Sequence, residues 1–181
     1  MFEEKYLKYK KKYLNLKKIN ISGGGFDINK QKILDEINDE KNDAYEILKE
    51  ADVSFRNDKE VVLAAIEKSE GLALEFASDE LKSDIEVVKT AIQQDVDGGG
   101  GRFMYASEDL KKDFDLVMFA IQHSQNIDIQ EHPLRFVSEE FKNNPEIVLA
   151  SVEANHQVIP FASETIKKII KIYRIYKDIR I

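Results

Sequence analysis

Three groups of residues in this chain are of types that could do chemistry. Gly98-Gly99-Gly100-Gly101 followed by Arg102 offers consecutive amides able to form an anion nest, with a guanidinium beside them. A nucleotide-type phosphate loop requires Lys-Ser or Lys-Thr after the glycines and a strand before them. Neither is present, so the run reads as a loop between helical segments. His123, His132 and His156 fall near predicted loops, where Asp128 or Glu131 could join them around a metal ion. Their spacing matches no zinc pattern. Asp79-Glu80, Glu108-Asp109 and Glu139-Glu140 are paired acids of the kind used in general acid–base catalysis. They recur once per repeated phrase, always just after a serine, which points to helix N-termini instead. No Ser-His-Asp ordering or nucleophile motif stands out. The expectation is therefore no enzyme, no catalytic residue, no cofactor and no metal site.

The N-terminal segment carries a different pattern. Phe2, Tyr6, Tyr9, Tyr13 and Leu16 recur at alternating spacings of four and three, with Leu7 and Leu14 alongside, which is a coiled-coil-like seam rich in tyrosine. Lysines at 5, 8, 10, 11, 12, 17 and 18 face it. Tyr6, Tyr9, Tyr13 and Leu16 are the candidate partner-binding residues, because tyrosine suits a half-wet protein interface. Lys8, Lys10, Lys11 and Lys12 are the candidate anion-binding residues, toward RNA, DNA or an anionic membrane. A third reading packs the helix on the chain's own body. Ser22 to Gly25 reads as a tether.

Charge is distributed unevenly. The net charge is −7, yet residues 1–18 and residues 166–181 each carry +5, so the residues between them carry −17. An acidic body lacks the Lys and Arg that counterion release from nucleic acid requires, which confines nucleic-acid binding to the basic ends. Cysteine is absent, which removes disulfides and thiolate chemistry together. Met1-Phe2-Glu3-Glu4 leads into a lysine-rich stretch without the apolar core of a signal peptide. No run approaches the ~18 apolar residues of a membrane span.

The elements that must position these residues are repeats. Phe55 opens FRNDKEVVLAAI, Leu81 LKSDIEVVKTAI, Leu110 LKKDFDLVMFAI and Phe141 FKNNPEIVLASV; Ile166 starts a fifth copy. Successive starts lie 26, 29, 31 and 25 residues apart, the length of one helical hairpin. Asp58, Asp84, Asp113 and Asn144 are predicted N-caps, each before an acidic first turn (Glu60, Glu86, Asp115, Glu146), and Pro145 suits the first helical position. Val61, Val62, Ala65 and Ile66, with their counterparts in each copy, fall on one face. The partner phrases LEFASDELK, FMYASEDLK, LRFVSEEFK and IPFASETIK predict a short second helix, an aromatic wedge, and a serine capping one further turn.

The phrases DKEVVLAAI and GLALEFASDELK resemble a helical repeat domain of unknown function that recurs in giant DNA viruses of amoebae and in some bacteria. The match runs from Phe55 to about Lys167. KYLKYKKKYLNLKK, followed by Gly-Gly, is similar to a leader of mimivirus-type proteins. The resemblance implies an all-helical fold and a viral origin, and supplies no activity or site residue. The copy departs from the pattern at Gly98–Gly101 and Gln125–Pro133, where the hairpin loop is expanded.

The expected protein is all-α: a short array of stacked helical hairpins with a basic N-terminal helix. Its parts are a helix over 1–18, a linker over 19–26, capping helices over 27–54, a four-unit array over 55–165 and a basic capping or docking segment over 166–181. The function expected is a non-enzymatic adaptor or scaffold binding a viral or host protein, in the host cytoplasm or the virion. The alternative is a nucleic-acid or anionic-surface tether acting through the basic ends, and an enzyme with a site not legible in sequence is the remainder.

Overall fold

A computed structural model describes residues 25–95, 100–124 and 128–179, with side chains for 28–95, 100–124 and 128–172. All described elements are helical, and the fold is all-α. Helices α1 (Gly25–Asn38) and α2 (Ala44–Glu50) come first. Each of four units then contains a single turn, a capped α-helix and a 3-10 helix. The first is α3 (Val53–Arg56), α4 (Lys59–Lys68) and η1 (Leu72–Phe76). The second is α5 (Asp79–Lys82), α6 (Ile85–Gln94) and η2 (Gly101–Tyr105). The third is η3 (Leu110–Lys112), α7 (Phe114–Gln122) and η4 (Pro133–Arg135). The fourth is α8 (Glu139–Lys142), α9 (Pro145–Ala154) and η5 (His156–Phe161), after which α10 (Glu164–Ile179) begins.

The four expected caps all form. Asp58, Asp84 and Asn144 each accept from the backbone N–H groups two and three residues on, and Asp113 accepts from Leu116. Each satisfies orphan amides at a helix start and contributes about 1 kcal/mol. The apolar face behind the caps is the core. Val61, Val62, Ala65 and Ile66 are fully buried, as are Val87, Val88, Ala91 and Ile92, and Leu116, Val117 and Ala120. In α9, Ile147 and Ser151 are fully buried while Val152 is half-buried. Helix α4 packs on α6, α6 on α7 and α7 on α9, so each unit buries its neighbour's face.

The second arm of each unit is a short helix ending just before the serine, as expected. It is a 3-10 helix of three to six residues, a short span of the kind in which the tighter turn is common. Bonds such as Leu74 N–H to the Gly71 carbonyl and Ala77 N–H to the Leu74 carbonyl, both 3.2 Å, close it. Inside it Leu74, Phe103 and Leu134 are fully buried, whereas Phe76, Tyr105 and Phe136 are half-buried. In the last unit the fully buried residue is Val158, in a longer 3-10 helix that contains Pro160. Segment boundaries also shift: α1 starts inside the expected linker, the first turn starts at Val53, and α10 starts at Glu164.

One close approach fixes the junction of the first two units. Glu70 (φ 53°) and Gly71 (φ 83°) reverse the chain through the left-handed region. A Cβ on Gly71 would lie 2.3 Å from the Ala91 carbonyl oxygen and 2.9 Å from the Arg102 Cγ. Gly71→Ala therefore combines left-handed strain with a backbone clash. It is expected to cost about 2–4 kcal/mol in urea unfolding, well above an ordinary glycine-to-alanine change.

Candidate functional site

The described surface is best understood through how the units are joined. The capping serines do more than begin a turn. Ser78, Ser107, Ser138 and Ser163 each accept from the N–H three residues on, as expected. In addition, the backbone N–H of Ser78, Ser107 and Ser163 donates to the carbonyl of Arg56, Lys82 and Lys142, at 2.8, 2.9 and 2.9 Å. Those carbonyls belong to the last residue of the preceding unit's single turn. Ser78 Oγ also donates to Asn57 Oδ1, and Ser163 Oγ to Asn143 Oδ1 at 2.7 Å. Each such serine thus satisfies orphan groups at two helix termini at once. Ser163→Ala is expected to lower stability by about 1–2 kcal/mol, measured by urea titration, because it removes a cap and an inter-unit bond together.

Lysines bridge successive helix N-termini. Lys30 Nζ lies 2.8 Å from Asp58 and 2.7 Å from Glu60, and Lys59 Nζ lies 2.8 Å from Asp84 and 2.6 Å from Glu86. Helix α1 therefore stands to α4 as α4 stands to α6. Both lysine pKa values are raised, first by the hydrogen bonds to Asp58 and Asp84 respectively, and Asp84 is held below the usual carboxylate range by Lys59. In the next two units the residue at the place of Lys59 is Ile85, 40% exposed, and Phe114, which packs edge-on against Phe141 at 6.2 Å. The lysine ladder ends after the second unit.

The paired acids stand at helix starts. Glu108 and Glu139 reach Lys111 and Lys142 at 2.9 and 2.8 Å, Glu80 accepts from Asn57, and Glu164 at the same place in the fifth phrase reaches Lys167 at 2.8 Å. Hydrogen bonds from Lys111 and Lys167 lower the pKa of Glu108 and Glu164, the direction opposite to that of a general acid working near neutrality. Arg102 is likewise committed. Its Nε donates to the Glu70 carbonyl at 3.1 Å and a terminal nitrogen donates to Asp95 at 3.3 Å, with both side chains largely buried. The anion-holding reading of Arg102 gives way to a strap that ties η2 back to the preceding loop. Gly98 and Gly99 lie outside the described residues.

His132 is fully buried. Its Nδ1 accepts from the Leu134 N–H at 3.2 Å, capping η4, and its Nε2 lies 3.2 Å from Ser124 Oγ. Ser124 in turn donates to the Ile121 carbonyl at 2.7 Å. With Nδ1 accepting, the neutral ring carries its proton on Nε2 and donates it to Ser124. Burial lowers the pKa to about 4. His123 sits at the end of α7 with Nδ1 2.7 Å from the Phe119 carbonyl, and His156 is exposed. Among the described residues no group of three or more His, Asp or Glu is arranged to hold a metal.

The candidate residues Tyr6, Tyr9, Tyr13 and Leu16, with Lys8, Lys10, Lys11 and Lys12, lie outside the described residues, as does the whole segment expected to form the basic N-terminal helix. At the other end, α10 joins the core through Ile166 and Ile170, while Ile169 and Ile172 are 55% and 66% exposed. No helix among the described residues is long and apolar enough to cross a membrane.

Residues 68–97 and 127–167 match the family model of the Domain of unknown function (DUF4116). Each matched stretch runs from a 3-10 arm through the serine-capped turn into the next capped helix, so it spans the inter-unit junction described above. Neither a curated protein nor a solved structure matches the chain.

Proposed function

We propose that this chain is a non-enzymatic adaptor or scaffold of viral origin that binds a protein partner in the host cytoplasm or in the virion. The partner is bound on the repeat surface or through the N-terminal segment around Tyr6, Tyr9, Tyr13 and Leu16. One observation carries the reading. Among the described side chains with most chemical potential, Arg102 and the capping serines Ser78 and Ser163 are engaged in joining units and His132 in closing the third, while apolar side chains such as Ile85 and Leu149 stand in solvent at 40% and 60% exposure. A surface of that kind suits recognition by contact. The lysine- and tyrosine-rich leader supports the viral source. In a pull-down with tagged full-length protein, Tyr9→Ala with Tyr13→Ala is expected to abolish capture of the partner. Changing Lys8, Lys10, Lys11 and Lys12 to Glu is expected only to slow association.

A second reading makes the chain a tether to nucleic acid or an anionic surface, and the exposed Lys168 and Lys171 on α10 favour it. Under it, binding to RNA or anionic vesicles would fall steeply with salt and vanish in the four-lysine variant, whereas the tyrosine variant would bind normally.

A further inference from the structure

The two ends of the array are finished differently. At the N-terminal end α1 packs on α4 and extends Lys30 to Asp58 and Glu60, so the first unit is covered as if another unit preceded it. At the C-terminal end the fifth phrase breaks the pattern. Where the cap Asp58, Asp84, Asp113 or Asn144 would fall, three residues beyond Ile166, the chain has Ile169, and the single turn runs on as α10 without a second capped helix. Nothing in the described chain stands against α9 as α9 stands against α7. Leu149 is consequently 60% exposed, while its counterparts Leu63, Lys89 and Met118 are each half-buried. Repeat arrays require a covered terminal face for solubility.

We infer that a second copy of this chain covers that open end in a two-fold dimer, with α10 of each copy lying on α9 of the other. The two faces are complementary in charge. Glu146, Leu149 and Glu153 lie three and four residues apart on one stripe of α9, and all three are exposed. Lys168, Ile169, Lys171 and Ile172 form the exposed stripe of α10. None of these four charged side chains is in an ion pair with another described residue. An acid–apolar–acid stripe and a base–apolar stripe in the same unit are what a self-complementary two-fold contact requires. Isoleucines of α10 meet Leu149, and its lysines meet Glu146 and Glu153. The contact uses neither the N-terminal seam nor a heterologous partner, so it stands apart from the function proposed above.

Charge exchange tests the geometry on the full-length chain by size-exclusion chromatography with light scattering. The parent is expected at twice 20.9 kDa, in equilibrium with monomer. Glu146→Lys with Glu153→Lys, and separately Lys168→Glu with Lys171→Glu, are each expected to weaken the dimer at least about tenfold. All four positions are exposed, so both variants should keep the parent's helical circular dichroism. Mixing the two variants is expected to restore the dimer, because each α9 then meets an α10 of opposite charge. A parent monomeric up to near-millimolar concentration would overturn the inference, as would a dimer indifferent to both exchanges or variants that fail to rescue each other. A full-length monomer that dimerises only when residues 1–18 are deleted would also overturn it, placing the chain's own N-terminal segment on this face.

Discussion

Ala91→Asp is expected to lower the unfolding free energy by about 4 kcal/mol or more, against a total of ~5–15 kcal/mol for a domain of ordinary stability. Ala91 is fully buried in the middle of α6, between helices α4 and α7, and its own carbonyl oxygen is where a Cβ on Gly71 would collide. A carboxylate placed there has no water. Arg102, which lies beside this junction, is already engaged by Glu70 and Asp95. The acid must therefore be protonated at a cost or prise the units apart. Because neighbouring units bury one another, the loss should spread beyond α6 and lower the cooperativity of urea unfolding as well as its midpoint. Gln93→Asp, exposed on the same helix, is the control and should cost less than about 1 kcal/mol. Similar stability of the two variants would show that units do not meet at this face.

The contrast between those two positions was legible in the sequence, because a helical period marks the buried face and four copies of one phrase average out local noise. Ala91 is small, central and repeated as Ala65, Ala120 and Ser151, all fully buried. The caps and capping serines were legible for the same reason: each acts on amides two or three residues away. Contacts between units were not. Nothing in Ser78 reveals that its N–H will reach the Arg56 carbonyl, a bond across 22 positions whose partner is a backbone group. Lys30 and Lys59 look like ordinary solvated lysines until the units stack and set two carboxylates beside each.

The second arm was legible as a short helix but not as a 3-10 helix, because hydrophobic period alone does not separate a 3-10 turn from a short α-helix. Arg102 shows the related difficulty at the level of sites. Beside four glycines it suggested anion binding, yet the residues that occupy it, Glu70 and Asp95, lie 32 and 7 positions away. The open C-terminal end could be read partly, from the missing acidic first turn after Ile166. Which residues it leaves in solvent depended on where α9 stands.

Acid is expected to weaken the protein through His132 in a window set by its burial. In the folded chain the ring stays neutral down to about 4, against an ordinary value of 6.5. Between those limits the unfolded chain binds a proton that the folded chain refuses. The contribution is thus complete above about 6.5, falls as pH drops, and is spent below about 4, with a total on the order of 3 kcal/mol. Protonation cannot be absorbed locally. A second ring proton would sit on Nδ1, facing the Leu134 N–H that Nδ1 now accepts, with no carboxylate partner among the described residues. His132→Asn isolates the effect: its Oδ1 can accept the same N–H, as Asn144 and Asn155 do at their own helices, and the side chain does not titrate. The variant should be less stable than the parent at pH 7 by about 1–2 kcal/mol, from lost packing and the lost Ser124 contact. The gap should close and then reverse on the way to pH 4.5, because the parent alone loses about 2–3 kcal/mol over that range while other titrating groups are common to both. Parallel stability–pH profiles for the two chains would show that His132 is not held neutral by the fold. Nitrogen-detected NMR of the parent at pH 5.5 should find the neutral Nε2–H tautomer of His132.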